Sequence, residues 1–359
     1  MRICLVANEI FAWGKIGGFG RATRMIGREL VKRGFEVTAI IPRRNNQKPV
    51  EYLDGMRVLG FELRNPLSAY RLYKEADADI YHSEEPSFGT FLAMKAVPGR
   101  RHIITLQNTR RLEDWLANLR YPSLNRMQVL TDWLYEDNLF THYAIHHADG
   151  LYVAAKFLVS RAKKVYHLKQ DPIFLPTPVD IPQTIKKSVT PLVCFVSRLD
   201  RLKRPEYFLQ LAQSFPEVKF IAVGKSRDPL YEQSLRDRFS GLPNLSMPGM
   251  IDPFQSGELS QILGQSWILA NTSAKEGLPN AFIEAAAHHC AILSGLDPDG
   301  FTTSYGVMVT GDDFGAGLRK LLDHDFWRVQ GSKGYAYVSS TFSTEKSIDQ
   351  HIQIYESLF

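Results

Sequence analysis

The chain has 359 residues, two to three times the commonest domain size, so we expect two domains that each bury a core. Its 44% hydrophobic and 23% charged residues exclude a disordered chain, a collagen-like fibre and a heptad rod. The formal net charge is +5, and residues 1–180 carry 26 Lys and Arg against 19 Asp and Glu, so the basic half is compatible with either an anionic partner or a solvated surface.

The N-terminal segment and the cysteines bear on the cellular location. Residues 1–9 hold too short an apolar run for a signal peptide and predict a buried first strand. Three widely separated cysteines exclude a disulfide framework and a zinc site, which predicts a cytoplasmic location. No window approaches 18 uncharged apolar residues, so we expect no membrane-spanning segment.

Short apolar strands alternate with helical stretches, which is typical of parallel sheets with crossover helices. In the first half the predicted strands are 2–7, 35–41, 57–61, 79–82, 102–106 and 150–153, and the predicted helices are 20–33, 66–76, 87–96 and 126–147. In the second half the predicted strands are 192–197, 218–223, 244–246, 267–270 and 290–294, and the predicted helices are 205–214, 229–239, 256–264 and 280–289. The pattern predicts two α/β domains in succession.

A proline-rich segment separates the two halves. Residues 175–187 contain three prolines and then a polar run, which predicts an extended linker and a boundary near residue 183. The spacing of apolar residues predicts a last helix over roughly 344–357. We therefore predict an N-terminal domain over 1–183, a C-terminal domain over 184–340 and a terminal helical segment over 341–359.

A glycine-rich loop follows the first predicted strand. Gly17, Gly18 and Gly20 precede the helix 20–33, and glycines let a backbone approach a phosphate at a helix N-terminus. This loop predicts a nucleotide phosphate site, with a flexible glycine loop as the alternative.

Two further motifs follow strands of the second half. After strand 192–197, Arg198 and Lys203 flank a loop that leads to Pro205 at a helix start, and such cations suit a diphosphate. After strand 267–270, Glu276 and Glu284 are eight residues apart across a loop and a helix start, where free amides suit a sugar phosphate. The alternatives are a solvated charge run and two surface or capping carboxylates.

In this order, the three motifs resemble family 4 of the retaining glycosyltransferases. The resemblance covers nearly the whole chain, and its most specific part is Glu-Gly-Leu-Pro-Asn-Ala-Phe-Ile-Glu-Ala from Glu276. It implies the GT-B fold, in which two Rossmann-like, doubly wound parallel-sheet domains face each other across a cleft. The N-terminal domain would lie on the acceptor side, the C-terminal domain would bind the donor, and the terminal helix would cross back to the N-terminal domain.

The resemblance also implies roles for individual residues. Arg198 and Lys203 would stabilise the donor diphosphate, and Glu276 would face the donor sugar, which makes these three the predicted catalytic residues. No metal and no separate cofactor are implied. The predicted donor-binding residues are Gly17, Gly18, Met250, Gly277, Leu278, Asn280, Ala281 and Glu284.

The acceptor side departs from the family pattern. Many members carry a histidine where this chain has Gln107, and an amide exchanges no proton usefully at neutral pH, although it can hydrogen-bond a sugar. His82 follows strand 79–82 and is the second predicted acceptor-side residue, with a buried structural histidine as the alternative. Arg110, Arg111 and Arg120 lie among aromatic residues, which predicts either an acceptor or membrane surface, or core aromatics with exposed arginines.

The sequence thus predicts a retaining, metal-independent transferase that moves a sugar from a nucleoside diphosphate sugar to a hydroxyl acceptor. The expected acceptor is a glycan, a lipid-linked saccharide or a small molecule, with peripheral membrane contact through the basic half and no nucleic acid partner. One alternative is a non-catalytic nucleotide-sugar or glycan binding protein. A second is an NADP-dependent oxidoreductase that uses Gly18, Gly20, Arg43 and Arg44.

Overall fold

The computed structural model describes residues 1–15, 17–44 and 47–359. Its strands are β1 (Arg2–Ala7), β2 (Glu36–Pro42), β3 (Val50–Leu53), β4 (Met56–Phe61), β5 (Ile80–Glu84), β6 (Arg101–Leu106), β7 (Gly150–Val153), β8 (Ile173–Phe174), β9 (Leu192–Val196), β10 (Lys219–Val223), β11 (Leu245–Gly249), β12 (Ile268–Asn271), β13 (Ala291–Ser294) and β14 (Gly306–Met308).

The α-helices are α1 (Gly18–Lys32), α2 (Ala69–Ala76), α3 (Phe88–Ala96), α4 (Leu112–Arg120), α5 (Arg126–Glu136), α6 (Leu139–His146), α7 (Phe157–Tyr166), α8 (Pro205–Ser214), α9 (Pro229–Phe239), α10 (Glu258–Gln265), α11 (Asn280–Ala287), α12 (Phe301–Tyr305), α13 (Phe314–Leu322), α14 (Phe326–Thr341) and α15 (Thr344–Glu356).

The strands form two separate sheets. Within the described ranges, the first has the order β3-β4-β2-β1-β5-β6-β7-β8 and the second the order β11-β10-β9-β12-β13-β14. Adjacent strands pair in parallel, except that β3 is antiparallel to β4. The predicted α/β class with two doubly wound sheets is confirmed.

The chain divides into two compact units. The first comprises 1–115, 130–178 and 344–359, and the second comprises 116–129 and 179–343. The sequence pattern gives no sign that residues 116–129 group with the second unit.

The core of the first unit follows the two-residue period of its strands. Ile3 and Leu5 of β1 belong to one apolar cluster, and Cys4 and Val6 belong to another, because successive side chains point to opposite faces of a sheet. Ile348 and Tyr355 of α15 join the first of these clusters, so the last helix completes the core of the first unit.

The core of the second unit is built from β9, β10, β12 and β13 and the helices packed on them. Phe195, Phe208 and Phe220 are each at most 1% exposed, and Trp327 of α14 stacks on Trp267 with ring centroids 4.5 Å apart. These contacts pack α8 and α14 against the strands that precede the second and third motifs.

Two predictions about local structure need correction. The predicted helix 126–147 is two helices, because Asn138 caps α6 by accepting hydrogen bonds from Phe140 N (2.9 Å) and Thr141 N (3.0 Å). The proline-rich segment is irregular and extended, but 175–179 are buried and Pro176 O accepts a hydrogen bond from Ser347 Oγ. The start of the predicted linker is therefore packed against protein.

Candidate active site

The second sheet reverses its strand order at β9, which lies between β10 and β12. In open parallel sheets, ligands bind outside the carboxyl ends of the strands at this switch point. The chain after β9 contains Arg198 and Lys203, and the chain after β12 contains Glu276. The topology therefore brings the second and third motifs to one edge of one sheet.

The Arg198 guanidinium is fixed by residues of its own unit. Its Nη1 lies 2.6 Å from Oδ2 of Asp200, which is 2% exposed, and 3.3 Å from Ser123 Oγ. Lys203 N donates to Asp200 O at 2.8 Å, which closes the turn between the two cations. Asp200, which the sequence analysis did not single out, thus organises the loop that carries both predicted cations.

Lys203 and Glu276 are in direct contact, although 73 residues separate them in the chain. Ser273 Oγ also donates to Glu276 Oε1, at 2.8 Å. Thr272 Oγ1 lies 2.8 Å from both Lys203 O and Arg204 O, and so ties the two loops together below the ion pair. The structure thus brings together two of the three predicted catalytic residues through side chains and main chain.

The third motif continues into α11. Pro279 directly precedes this helix, and Glu284 lies half-buried in its second turn. The other predicted donor-binding residues here are half-buried around the helix N-terminus, where backbone amides lack intrahelical partners: Gly277, Leu278, Asn280 and Ala281.

Met250 follows β11 at the same edge and is 43% exposed. The backbone before it is placed by glycine, since Gly224 N donates to Gly249 O at 2.8 Å. Gly224 has a φ of +153°, and a β-carbon there would lie 1.8 Å from Ser197 O. Only glycine lets the ends of β9 and β10 approach this closely.

The glycine loop of the first unit surrounds a carboxylate. Gly20 N donates to Glu9 Oε1 at 3.2 Å, and Lys15 Nζ lies 3.4 Å from Glu9 Oε2. A β-carbon on Gly17 would lie 1.7 Å from Glu9 Oε1. The carboxylate of Glu9 thus lies at the start of α1, and the phosphate site at Gly17 and Gly18 stays a prediction.

His82 lies in the interior and does not form part of an exposed acceptor surface. It is fully buried, with Nδ1 2.8 Å from Tyr355 Oη and Nε2 2.7 Å from Thr105 Oγ1. Burial lowers the pKa of His82 well below its usual value, and His351 lowers it further. The acceptor-side prediction for His82 is therefore corrected in favour of the structural alternative.

Gln107 lies just after β6, where two carboxylates hold it. Its Nε2 donates to Glu84 Oε2 at 2.8 Å, while Gln107 N (2.8 Å) and Asn108 N (3.1 Å) donate to Glu85 Oε2. Burial raises the pKa of Glu84 and of Glu85 to about 7, although hydrogen bonds to Gln107 and a nearby Arg110 oppose the shifts.

These two carboxylates were not among the predicted site residues. Glu84 is the last residue of β5, which is buried along its whole length, and Glu85 follows it with a φ of +83°, which L-residues rarely hold. Consecutive acidic residues at the carboxyl end of a buried strand are the signal that sequence reasoning can use to find such a pair.

Arg110 is part of the packing of the first unit. It pairs with Glu136 and lies 4.7 Å from the ring of Trp115, which is 2% exposed. Arg111 and Arg120 are exposed. Arg110 therefore supports the buried aromatic residues, and only the other two arginines fit the predicted surface.

In residues 1–15, 17–44 and 47–359, no group of three or more His, Cys, Asp or Glu side chains is arranged to hold a metal ion. Over the same ranges, no helix combines the length and hydrophobicity needed to cross a bilayer.

Comparison with known proteins gives two family models and one curated relative. Glycosyltransferase Family 4 matches residues 16–182, and Glycosyl transferases group 1 matches residues 190–323. Glycogen synthase of Anaeromyxobacter dehalogenans strain 2CP-C is 31% identical over 104 residues, which are 28% of this chain and 22% of that protein. The match thus spans about a fifth of that relative.

Solved structures agree over nearly the whole length. Sucrose-phosphate synthase from Thermosynechococcus elongatus matches with a TM-score of 0.75 at 17% identity, over 100% of this chain and 99% of that one. Anabaena HepE in complex with UDP-glucose matches with a TM-score of 0.73 at 14% identity, over 99% of each chain. With both halves matched by glycosyltransferase models and both sheets by these neighbours, the chain belongs to glycosyltransferase family 4 and has the GT-B fold.

Proposed function

We propose that this glycosyltransferase moves a sugar from a nucleoside diphosphate sugar to a hydroxyl group with retention of configuration and without a metal. The observation that carries the proposal is the convergence of Arg198, Lys203 and Glu276 at the switch point of the second sheet. Two fixed cations there supply the charge that a departing diphosphate needs.

The proposed chemistry uses each group in one role. As the bond between the sugar anomeric carbon and the diphosphate breaks, Arg198 and Lys203 stabilise the growing negative charge on the leaving oxygen, an interaction that strengthens in the transition state. The acceptor hydroxyl forms its bond on the same face and passes its proton to the departing diphosphate. Glu276 accepts hydrogen bonds from donor sugar hydroxyls.

Binding of the donor can be tested separately from turnover. UDP, ADP and GDP are added singly at millimolar concentration while the melting temperature of wild type, Glu284→Ala and the exposed control Glu258→Ala is measured. A ligand at 100 times its Kd stabilises the folded protein by about 2.7 kcal/mol. We expect one nucleotide to stabilise wild type and the control but to stabilise Glu284→Ala less.

Transfer is then measured with the sugar donor of that nucleotide, and the anomeric configuration of the product is read by NMR. Inverted product would contradict the retaining mechanism, and undiminished turnover in excess chelator is expected. Stabilisation by NADPH alone would instead favour the oxidoreductase alternative.

For the acceptor, we propose a lipid-linked saccharide reached by peripheral membrane contact. The supporting observation is a row of exposed apolar side chains within the first unit on α5 and α6: Leu130, Leu134, Leu139 and Phe140 are 40–88% exposed. Exposed apolar residues on short helices suit burial at a bilayer interface.

The membrane proposal is tested by co-sedimentation with vesicles that contain anionic lipid. The variant Leu134→Glu/Leu139→Glu should lose most of the bound fraction, while Leu67→Glu, 62% exposed in the same unit, should retain it. Equal loss or equal retention in both variants would contradict the assignment of this surface.

A further inference from the structure

A buried chain of side chains links α15 to the carboxyl end of β6 within the first unit. Tyr355 Oη lies 2.8 Å from His82 Nδ1, His82 Nε2 lies 3.3 Å from Glu84 Oε1, and Glu84 Oε2 accepts from Gln107 Nε2 at 2.8 Å. Tyr355, His82 and Glu84 are each at most 2% exposed. These three side chains are therefore surrounded by protein and shielded from solvent.

Both ring nitrogens of His82 face hydroxyl groups, which can donate or accept. A neutral imidazole has one donor and one acceptor nitrogen, and burial keeps His82 neutral. When Tyr355 donates to Nδ1, the proton on Nε2 is donated to Thr105 Oγ1; in the other tautomer, Nδ1 donates to Tyr355 and Nε2 accepts from Thr105. Among the described residues Glu84 Oε1 accepts no hydrogen bond, and Glu84 Oε2 accepts one from Gln107.

In its ionised form Glu84 only accepts hydrogen bonds, and in that form it selects the orientation of the Gln107 amide. The amide NH₂ turns toward Glu84, and the carbonyl oxygen Oε1 is therefore the opposite end. Among the described residues, none donates a hydrogen bond to Gln107 Oε1. The backbone of Gln107 is held as well, since its N–H donates to Glu85.

We propose that Glu84 is a positioning residue, which holds Gln107 so that its side-chain carbonyl oxygen accepts a hydrogen bond from a substrate hydroxyl. This rests on the proposed function, in which this edge of the first sheet serves a sugar or its acceptor. The proposal makes Gln107 an acceptor of hydrogen bonds that selects hydroxyl donors.

A double-mutant cycle tests the proposal. Glu84→Gln keeps the shape but can present either a donor or an acceptor to Gln107, so we expect kcat for sugar transfer to fall about tenfold with little change in KM for the donor. In a Gln107→Ala background the same change should alter kcat less than twofold, because Glu84 acts through Gln107. Glu75→Gln, an exposed ion-pair residue of the same unit, is the control.

A second readout does not need turnover. The side-chain amide signals of Gln107, identified in a ¹⁵N–¹H spectrum by their loss in Gln107→Ala, should shift in Glu84→Gln and stay in place in Glu75→Gln. If Glu84→Gln does not fold, Glu84→Asp draws the carboxylate back by one methylene and should give a smaller shift and a smaller loss of kcat.

The outcomes separate the two proposals. Two results would overturn the positioning role but leave the proposed function intact, provided that the wild type transfers sugar. One is an equal loss of kcat from Glu84→Gln in the wild-type and Gln107→Ala backgrounds. The other is an unchanged kcat in Gln107→Ala. Absence of transfer by the wild type with any nucleotide sugar overturns the proposed function and, with it, the role of Gln107 toward substrate. Unshifted amide signals overturn the Glu84 contact directly.

Discussion

The switch point of the second sheet is lined by the cations Arg198 and Lys203, whose side chains are 24% and 13% exposed. At the switch point of the first sheet, between β1 and β5, the corresponding side chains are carboxylates, and Glu84 and Glu85 are at most 4% exposed. One strand topology thus supports one edge where each of two cations is paired with a carboxylate, and another where two buried carboxylates accept hydrogen bonds from amides. A diphosphate suits the cationic edge, and neutral hydroxyl groups suit an acidic edge whose carboxylates are held near neutrality.

The comparison of the two edges fails most directly if the positive charge of Arg198 does not contribute to catalysis. Arg198→Ala should lower kcat/KM by about 10²–10³-fold, because a fixed cation that faces developing charge contributes several kcal/mol. Arg201→Ala is the matched control, since Arg201 lies on the same loop but its guanidinium lies 4.4 Å from the ring of Tyr231. Steady-state kinetics of both variants decide the matter, and equal losses would show that the loop and not the Arg198 charge is required.

The cationic edge also depends on close backbone packing, which Gly224→Ala is expected to disturb. The new β-carbon meets Ser197 O, and the positive φ disfavours alanine, so we expect a loss of about 2–3 kcal/mol in unfolding free energy. Gly241→Ala has nothing within 4 Å of the added β-carbon and should stay within about 0.5 kcal/mol of wild type. Urea denaturation measures both, and similar stabilities for the two variants would rule out the packing argument.

The raised pKa of Glu84 at the acidic edge should make the unfolding free energy depend on pH. The pKa of Glu84 is raised from its ordinary value of 4.5 to about 7, so the folded chain binds more protons than the unfolded chain between these values. The contribution of Glu84 is fully present below about pH 4.5 and is lost as the pH rises to 7. The unfolding free energy of Glu84→Gln relative to wild type should therefore rise over this range, by on the order of 2 kcal/mol.

This difference is measured by urea denaturation at several pH values, with Glu75→Gln as the control that should give a flat difference. Taking the difference matters because burial lowers the pKa of His82 and of His351, and buried neutral histidines change stability with the opposite sign. If the difference in unfolding free energy between Glu84→Gln and wild type does not change with pH, the pKa of Glu84 is not raised. The carboxylates of the first edge would then be ordinary acids.

The second unit was the more predictable from sequence. Its motifs are local, since Arg198, Lys203 and Glu276 each follow a predicted strand within a few residues, and parallel topology brings those strand ends to one edge. What the sequence could not provide is Asp200, whose role depends on its burial beneath Arg198.

The first unit was harder to predict because its important contacts are distant in sequence. His82 meets Tyr355, which is 273 residues away, so no local pattern distinguishes a buried structural histidine from an exposed one. Glu9 meets Gly20 across a loop whose glycines also fit a phosphate site. The break between α5 and α6, by contrast, can be predicted from the sequence, because asparagine is a favoured N-cap residue and Asn138 stands at the start of α6.

The placement of α15 in the first unit has a consequence for the order of folding during synthesis. Ile348 and Tyr355 complete an apolar cluster that begins with Ile3, yet the ribosome makes residues 179–343 before either of them exists. The nascent first unit therefore lacks part of the cover of one face of its sheet until α15 is made, while the second unit has all of its segments available by residue 343. We expect the half that is translated first to be the last to reach its native state.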